Sequence, residues 1–203
     1  MTRIKICGLS REEDIACVNM ALPDYAGFIV NYPKSKRNIT PSRLRLLSSM
    51  LDKRIVAVGV FVDEDEALVG QLLNERIIGA AQLHGSEDED YIRRLRGLVP
   101  KGAVIIKAFK IKSKEDILAA GKSSADMVLL DGGAGDGKVF DWTLPKMMDR
   151  PYFLAGGLNE ENIWQAREAL HPWGMDVSSG VETDGRKDGD KICRIVDILR
   201  KNR

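Results

Sequence analysis

Two polar side chains stand where a proton could be moved. Cys7 ends a short apolar run, Lys5-Ile6-Cys7-Gly8-Leu9-Ser10, directly before a glycine and a helix start. A thiol facing a helix N-terminus is where a cysteine ionises most readily. Asp131 closes the run Asp126-Met127-Val128-Leu129-Leu130 and opens a glycine-rich loop. One group is a candidate base and the other a candidate acid. Taken singly, a strand cysteine is more often a small buried apolar residue, and an aspartate before glycines a turn former. Their shared placement at strand exits is what points to a proton-moving enzyme. Gln82 and His84 form a further in-phase pair at a strand end, where the imidazole either takes part in the chemistry or satisfies a backbone group beside Gly85.

These residues need elements to hold them. Short runs rich in Val and Ile fall near 3–7, 26–30, 55–61, 78–83, 103–109, 126–131, 151–155 and 174–177. Such runs are apolar on both faces, which implies strands of a parallel sheet. Amphipathic stretches separate them. Ser10 with Glu13, Asp63 with Glu66 and Ser86 with Glu89 have capping-box spacing, Thr40-Pro41 offers a cap followed by proline in the first turn, and Asn159 caps a run with Ile163, Ala166, Arg167 and Leu170 at helical spacing. Eight strand–helix units predict an α/β protein, a compact (β/α)8 barrel over residues 1–203 as a single domain. The sixth helix is the weak unit, with Thr143–Met148 barely long enough and carrying Pro145.

In such a barrel the site lies at the C-terminal strand ends. Side-chain alternation puts Lys5 and Cys7 on one strand face and Ile4 and Ile6 on the other, so Cys7 points into the barrel mouth. The same alternation places Met127, Leu129 and Asp131 together and turns Asp126 away. Two late segments suit a phosphate: Ala155-Gly156-Gly157-Leu158 after the seventh strand, and Ser178-Ser179-Gly180-Val181 after the eighth. Glycines let backbone N–H groups approach an anion, and these two loops are the usual phosphate cradle of the architecture. The basic loop Asn31–Asn38 contributes Arg37, whose planar guanidinium can grip a substrate carboxylate with two hydrogen bonds. Because the eighth strand neighbours the first in a closed barrel, Asp176 is expected to pair with Lys5 below the mouth.

Composition narrows the classes. The 203 residues carry a net charge of +1, which gives no general attraction to nucleic acid or to an anionic membrane. The longest apolar stretch, Ile55–Val62, is too short to span a bilayer. Three cysteines at 7, 17 and 193 have neither zinc spacing nor an even count, and a reducing cytoplasm suits them. No leader is expected at an N-terminus that runs straight into a strand.

Together the segments Lys5-Ile6-Cys7-Gly8-Leu9, Val58-Gly59-Val60-Phe61, Gln82-Leu83-His84-Gly85, Gly137-Lys138-Val139-Phe140-Asp141-Trp142, Leu154-Ala155-Gly156-Gly157-Leu158 and Asp176-Val177-Ser178-Ser179-Gly180-Val181-Glu182 resemble the phosphoribosylanthranilate isomerase family of tryptophan biosynthesis. They occur in family order over almost the whole chain. The resemblance implies an Amadori rearrangement of N-(5-phosphoribosyl)anthranilate to 1-(2-carboxyphenylamino)-1-deoxyribulose 5-phosphate, with Cys7 as general base and Asp131 as general acid. It also implies that Arg37 meets the substrate carboxylate, that Gly156, Gly157, Ser179 and Gly180 take the phosphate, and that Gln82, His84 and Asp176 contact substrate. No metal or organic cofactor is implied, since the iminium nitrogen serves as electron sink. The one partner implied is the small-molecule substrate, and a monomer or a homodimer would serve equally. The chain departs from the family at Lys36, where proline is usual, and at Asp136, where threonine is common. For their tasks the acid should be raised by burial and the base lowered below an ordinary cysteine.

Two other classes compete. An indoleglycerol-phosphate synthase would need a longer N-terminal extension and catalytic lysines with glutamates, and a bifunctional relative would carry an aspartate at the place of Cys7. A non-catalytic sugar-phosphate-binding barrel would tolerate replacement of Cys7 by serine.

Overall fold

The computed structural model describes residues 2–133 and 142–201. The glycine-rich loop beyond Gly133, with Asp136, and the segment Gly137–Asp141 lie outside the described residues. Eight parallel strands close on one another: β1 (Arg3–Cys7), β2 (Tyr25–Val30), β4 (Val56–Phe61), β5 (Ala80–Leu83), β6 (Val104–Lys110), β7 (Met127–Asp131), β8 (Tyr152–Ala155) and β9 (Gly174–Val177). A two-residue strand, β3 (Asn38–Ile39), pairs on the outer end of β2. Closure comes from β1, which pairs with β2 on one side and β9 on the other, the latter with Lys5 directly opposite Asp176. The (β/α)8 barrel expected from the apolar runs is therefore present, with strand bounds within a residue or two of the sequence reading.

Helices α1 (Glu12–Ala21), α2 (Pro41–Ser49), α3 (Glu66–Asn74), α4 (Glu89–Leu98), α5 (Lys114–Lys122), α6 (Ile163–Leu170) and α7 (Gly189–Lys201) follow the barrel strands, except after β7. There the described residues hold only one 3₁₀ turn, Pro145–Met147. Pro145 opens that turn, a position where a missing N–H costs nothing.

The helix starts differ from the expected caps in a consistent way. Thr40 acts as foreseen, accepting a hydrogen bond from the N–H of Arg43 with Pro41 in the first turn, and Asn159 Oδ1 accepts from the N–H groups of Glu161 and Asn162 at the entry to α6. At α1 the cap is not Ser10 with Glu13: the Asp14 carboxylate reaches back to the N–H groups of Ser10 and Arg11. Asp65 and Asp88, rather than Asp63 and Ser86, cap α3 and α4. Asp63 and Ser86 are engaged with each other instead, the Ser86 N–H and hydroxyl both donating to Asp63 Oδ1.

Alternation sorts the core. Outward-facing Ile4, Ile6, Phe28, Val128 and Leu130 pack with the helices in the larger cluster. Val58, Ala80, Ile106, Ala108, Leu129, Phe153 and Ala155 fill the barrel interior. Its floor is aromatic, with Phe153 edge-on to Tyr25 and to Trp173 at centroid distances of 5.6 and 5.0 Å. Gly174 makes room for this floor, since a Cβ there would stand 2.4 Å from the Phe153 ring. With the floor packed, the open space lies at the opposite end.

Candidate active site

At the C-terminal strand ends a cavity of about 370 Å³ is lined by side chains from around the ring. Cys7, Arg37, Gln82, His84, Asp131 and Asp176 all border it, with Gly156, Gly157 and Ser179 from the two late loops. Gly180 does not line it. A Cβ on Gly180 would stand 1.9 Å from the Leu158 carbonyl oxygen, so this glycine is where the loops after β8 and β9 press together.

Cys7 is set in a buried ionic arrangement. Lys5, two residues before it on the same strand face, is completely buried and donates to Asp176 Oδ1 at 2.9 Å. The pairing expected from closure is thus present. The Lys5 ammonium also stands beside the Cys7 thiol, both groups lying against Gly27. Gly27 on β2 accommodates both, because a Cβ there would meet Cys7 Sγ at 2.8 Å and Lys5 Nζ at 3.0 Å. Burial pushes the lysine ammonium toward losing its proton, but Asp176 and Cys7 outweigh it and the net direction is up. Burial also pushes the Cys7 thiol up, and Lys5 and Lys187 offset only part of this. The expected downward shift from the first helix is not met. The N–H groups that follow Cys7, those of Gly8 and Leu9, are taken by the Gly27 carbonyl, and those of Ser10 and Arg11 by Asp14.

Asp131 is joined to Gln82 through His84. Gln82 Nε2 lies 2.9 Å from His84 Nδ1, and His84 Nε2 lies 3.5 Å from Asp131 Oδ2. Donation from the Gln82 amide puts the ring proton on Nε2, facing the carboxylate. The Gly133 N–H donates to the other carboxylate oxygen at 2.9 Å. Burial raises the carboxyl, but the hydrogen bonds from His84 and Gly133, with the Lys110 charge nearby, bring it below its ordinary value. The expected rise is therefore reversed in the free protein, because donors surround the group as well as apolar walls.

Arg37 crosses over Gly8, where a Cβ would meet its Cδ at 2.4 Å and where φ is +83°. Its fork is closed on this chain's own carboxylate. Nε and Nη2 donate to the two oxygens of Glu182 at 2.6 and 2.7 Å, so the two-bond grip expected for a substrate carboxylate is already occupied. Glu182 also accepts from Lys187 Nζ at 2.8 Å, and Lys187 donates to the Ser178 carbonyl. Desolvation opposes it, yet these cations hold the Glu182 carboxyl down at about 2. Glu182 and Lys187 were not singled out from their types. They face each other across a hairpin, β10 (Glu182–Thr183) with β11 (Arg186–Lys187), turned by Asp184-Gly185 with φ of 51° and 75°. Asp-Gly between paired residues is the signal of such a turn, and it could have placed them.

A parallel barrel whose open end gathers a thiol, a carboxylate and two glycine-rich loops around one cavity defines a barrel enzyme of proton transfer on a small substrate. The sequence model described as N-(5'phosphoribosyl)anthranilate (PRA) isomerase matches residues 4–198. N-(5'-phosphoribosyl)anthranilate isomerase of Endomicrobium trichonymphae is 44% identical over 205 residues, covering 98% of this chain and 99% of the relative. A crystal structure of monomers of the dimeric phosphoribosylanthranilate isomerase from Thermotoga maritima superposes with a TM-score of 0.82 at 34% identity, covering 98% of this chain and 99% of that one. A phosphoribosylanthranilate isomerase in complex with reduced 1-(o-carboxyphenylamino)-1-deoxyribulose 5-phosphate gives 0.85 at 34% identity, over 99% and 100% of the two chains. The chain belongs to the N-(5'-phosphoribosyl)anthranilate isomerase family, an enzyme family of tryptophan biosynthesis. Among the described residues no helix is long and apolar enough to cross a membrane.

Proposed function

We propose that the isomerisation of phosphoribosylanthranilate proceeds in this cavity with Asp131 as general acid and Cys7 as general base. Protonation of the furanose ring oxygen by Asp131 lets the C1–O bond break as the amine nitrogen forms an iminium. Cys7 then removes the C2 proton, and the electron pair flows into the iminium to give an enolamine. The ketone forms when C1 gains a proton and the C2 hydroxyl loses one, which returns the enzyme to its starting protonation. The observation that carries this reading is the pair of groups at one cavity, on β1 and β7, with the phosphate-type loops beside them.

The low position of Asp131 in the free protein fits a substrate-loaded acid. The substrate brings a phosphate and a carboxylate, and like charges raise a nearby carboxyl. Phosphate binding is assigned to the N–H groups around Gly156, Gly157 and Ser179. The buried Gln82 Oε1, which accepts no hydrogen bond among the described residues, is assigned to a sugar hydroxyl, with His84 beside it. Arg37, held through Nε and Nη2, offers Nη1 to the anthranilate carboxylate as a single charge-assisted bond. Asp176 borders the same space through its bond to Lys5. All these groups come from one chain, so a monomer and a homodimer would each hold complete sites, and a cytoplasmic setting suits the free thiols.

The test is loss of anthranilate-type fluorescence on mixing with fresh phosphoribosylanthranilate. Wild type should turn over rapidly while Cys7→Ser and Asp131→Asn are nearly silent. A fully active Cys7→Ser protein would remove the thiol from the mechanism.

A further inference from the structure

We propose that Lys5 is a positioning residue for the base: its buried ammonium, anchored by Asp176, is the built-in counter-charge of the Cys7 thiolate. This rests on the reading of Cys7 as base and extends it to a residue that does not itself line the cavity.

The geometry carries the inference. A fully buried lysine is costly unless paired, and here it pairs with a carboxylate at 2.9 Å while standing beside the thiol against Gly27. Nζ and Sγ both lie within 3.0 Å of the place a Gly27 Cβ would occupy, so the absence of that carbon is what lets them meet. A lysine held only for stability would need Asp176 alone. Other charges reaching Cys7 are Lys187 from β11, and Arg37 from the loop before β3, both tied to Glu182. Lys5 has the largest opposing influence on the thiol, ahead of Asp176. With Cys7 as thiol the Asp176–Lys5–Cys7 unit is neutral. As thiolate it carries one negative charge, and on taking the C2 proton it becomes neutral again while Lys5 keeps its own protons throughout.

The readout is thiol ionisation without substrate: absorbance at 240 nm against pH, and iodoacetamide labelling at pH 7.5 with Cys7 separated from Cys17 and Cys193 by peptide mass spectrometry. Lys5→Met should slow Cys7 labelling about tenfold or more, one unit of upward shift being tenfold in thiolate. Because Lys5→Met leaves Asp176 buried and unpaired, the Lys5→Met/Asp176→Asn double variant is the fold-preserving form. It should also label more slowly than wild type, since it loses the larger of the two opposing influences. Labelling at the wild-type rate or faster in the double variant overturns the proposal, even if Cys7→Ser is inactive. An active Cys7→Ser protein would instead overturn the reading of Cys7 as base, whatever the labelling rates.

Discussion

Glu182→Gln tests the carboxylate that fastens the rim of the site, with shape nearly unchanged and charge removed. Glu182 takes two hydrogen bonds from Arg37 and one from Lys187, and its side chain is only 7% exposed. Its carboxyl falls from an ordinary 4.5 to about 2. At about 1.4 kcal/mol per unit, this difference is worth about 3 kcal/mol, and about 2 kcal/mol after allowance for water at the cavity rim. The sign follows from the folded value lying below the unfolded one. The stabilisation is complete above pH 4.5 and disappears as pH falls through about 2. Urea unfolding followed by circular dichroism at pH 7 should show the variant about 2–3 kcal/mol less stable than wild type, and at pH 3 the gap should shrink to roughly half. Comparison with wild type at each pH removes the other carboxylates from the difference. A gap of the same size at both pH values would refute the argument, because a loss of packing or shape does not titrate.

Other outcomes are expected from single positions. Gly180→Ala should raise KM about tenfold or more with less effect on kcat, since its Cβ would meet the Leu158 carbonyl at 1.9 Å and part the two phosphate-type loops. Gly157→Ala has open space at its Cβ but a φ of +65°, and thermal unfolding should report only about 1–2 kcal/mol of backbone strain. Lys107→Met should cost about 3–5 kcal/mol in urea by leaving Glu87 buried without its 2.9 Å partner. Lys107→Met/Glu87→Gln should recover much of that loss, and a double variant as unstable as the single would show the pair is not coupled. Gly27→Ala should slow Cys7 labelling by iodoacetamide, because its Cβ would press on Sγ and Nζ; unchanged labelling would mean the two groups are not held there.

The barrel was legible because each strand is buried on both faces, which leaves a continuous apolar run for the eye to find. The pair Lys5–Asp176 was legible too, as alternation fixes the face and closure fixes the neighbour. Helix starts were harder. Where several acidic and hydroxyl residues crowd one turn, as at Ser10 to Asp14 or Asp63 to Glu66, spacing alone does not say which carboxylate wins the free N–H groups. The engagement of Arg37 by Glu182 was beyond reach for another reason. The partners are 145 positions apart, and their meeting depends on how a hairpin folds over the rim. The direction at Asp131 escapes the sequence because the donors around the carboxyl outweigh its burial, and that at Cys7 because burial outweighs the helix start ahead of it.

The contact between Lys5 and Asp176 joins residues 171 positions apart, on the first strand and the last. In a chain emerging from the ribosome Cys7 is made well before Asp176, so the setting that holds its neighbour's charge arrives only after β9 has been synthesised. Contacts of such long separation form late in folding. Until then Lys5 has no buried carboxylate to meet, and the thiol behaves as that of an open chain. With Cys7 as the proposed base, proton removal is tied to completion of the ring: a nascent or clipped barrel lacking β9 carries the thiol without the Asp176 carboxylate that holds its neighbour's charge.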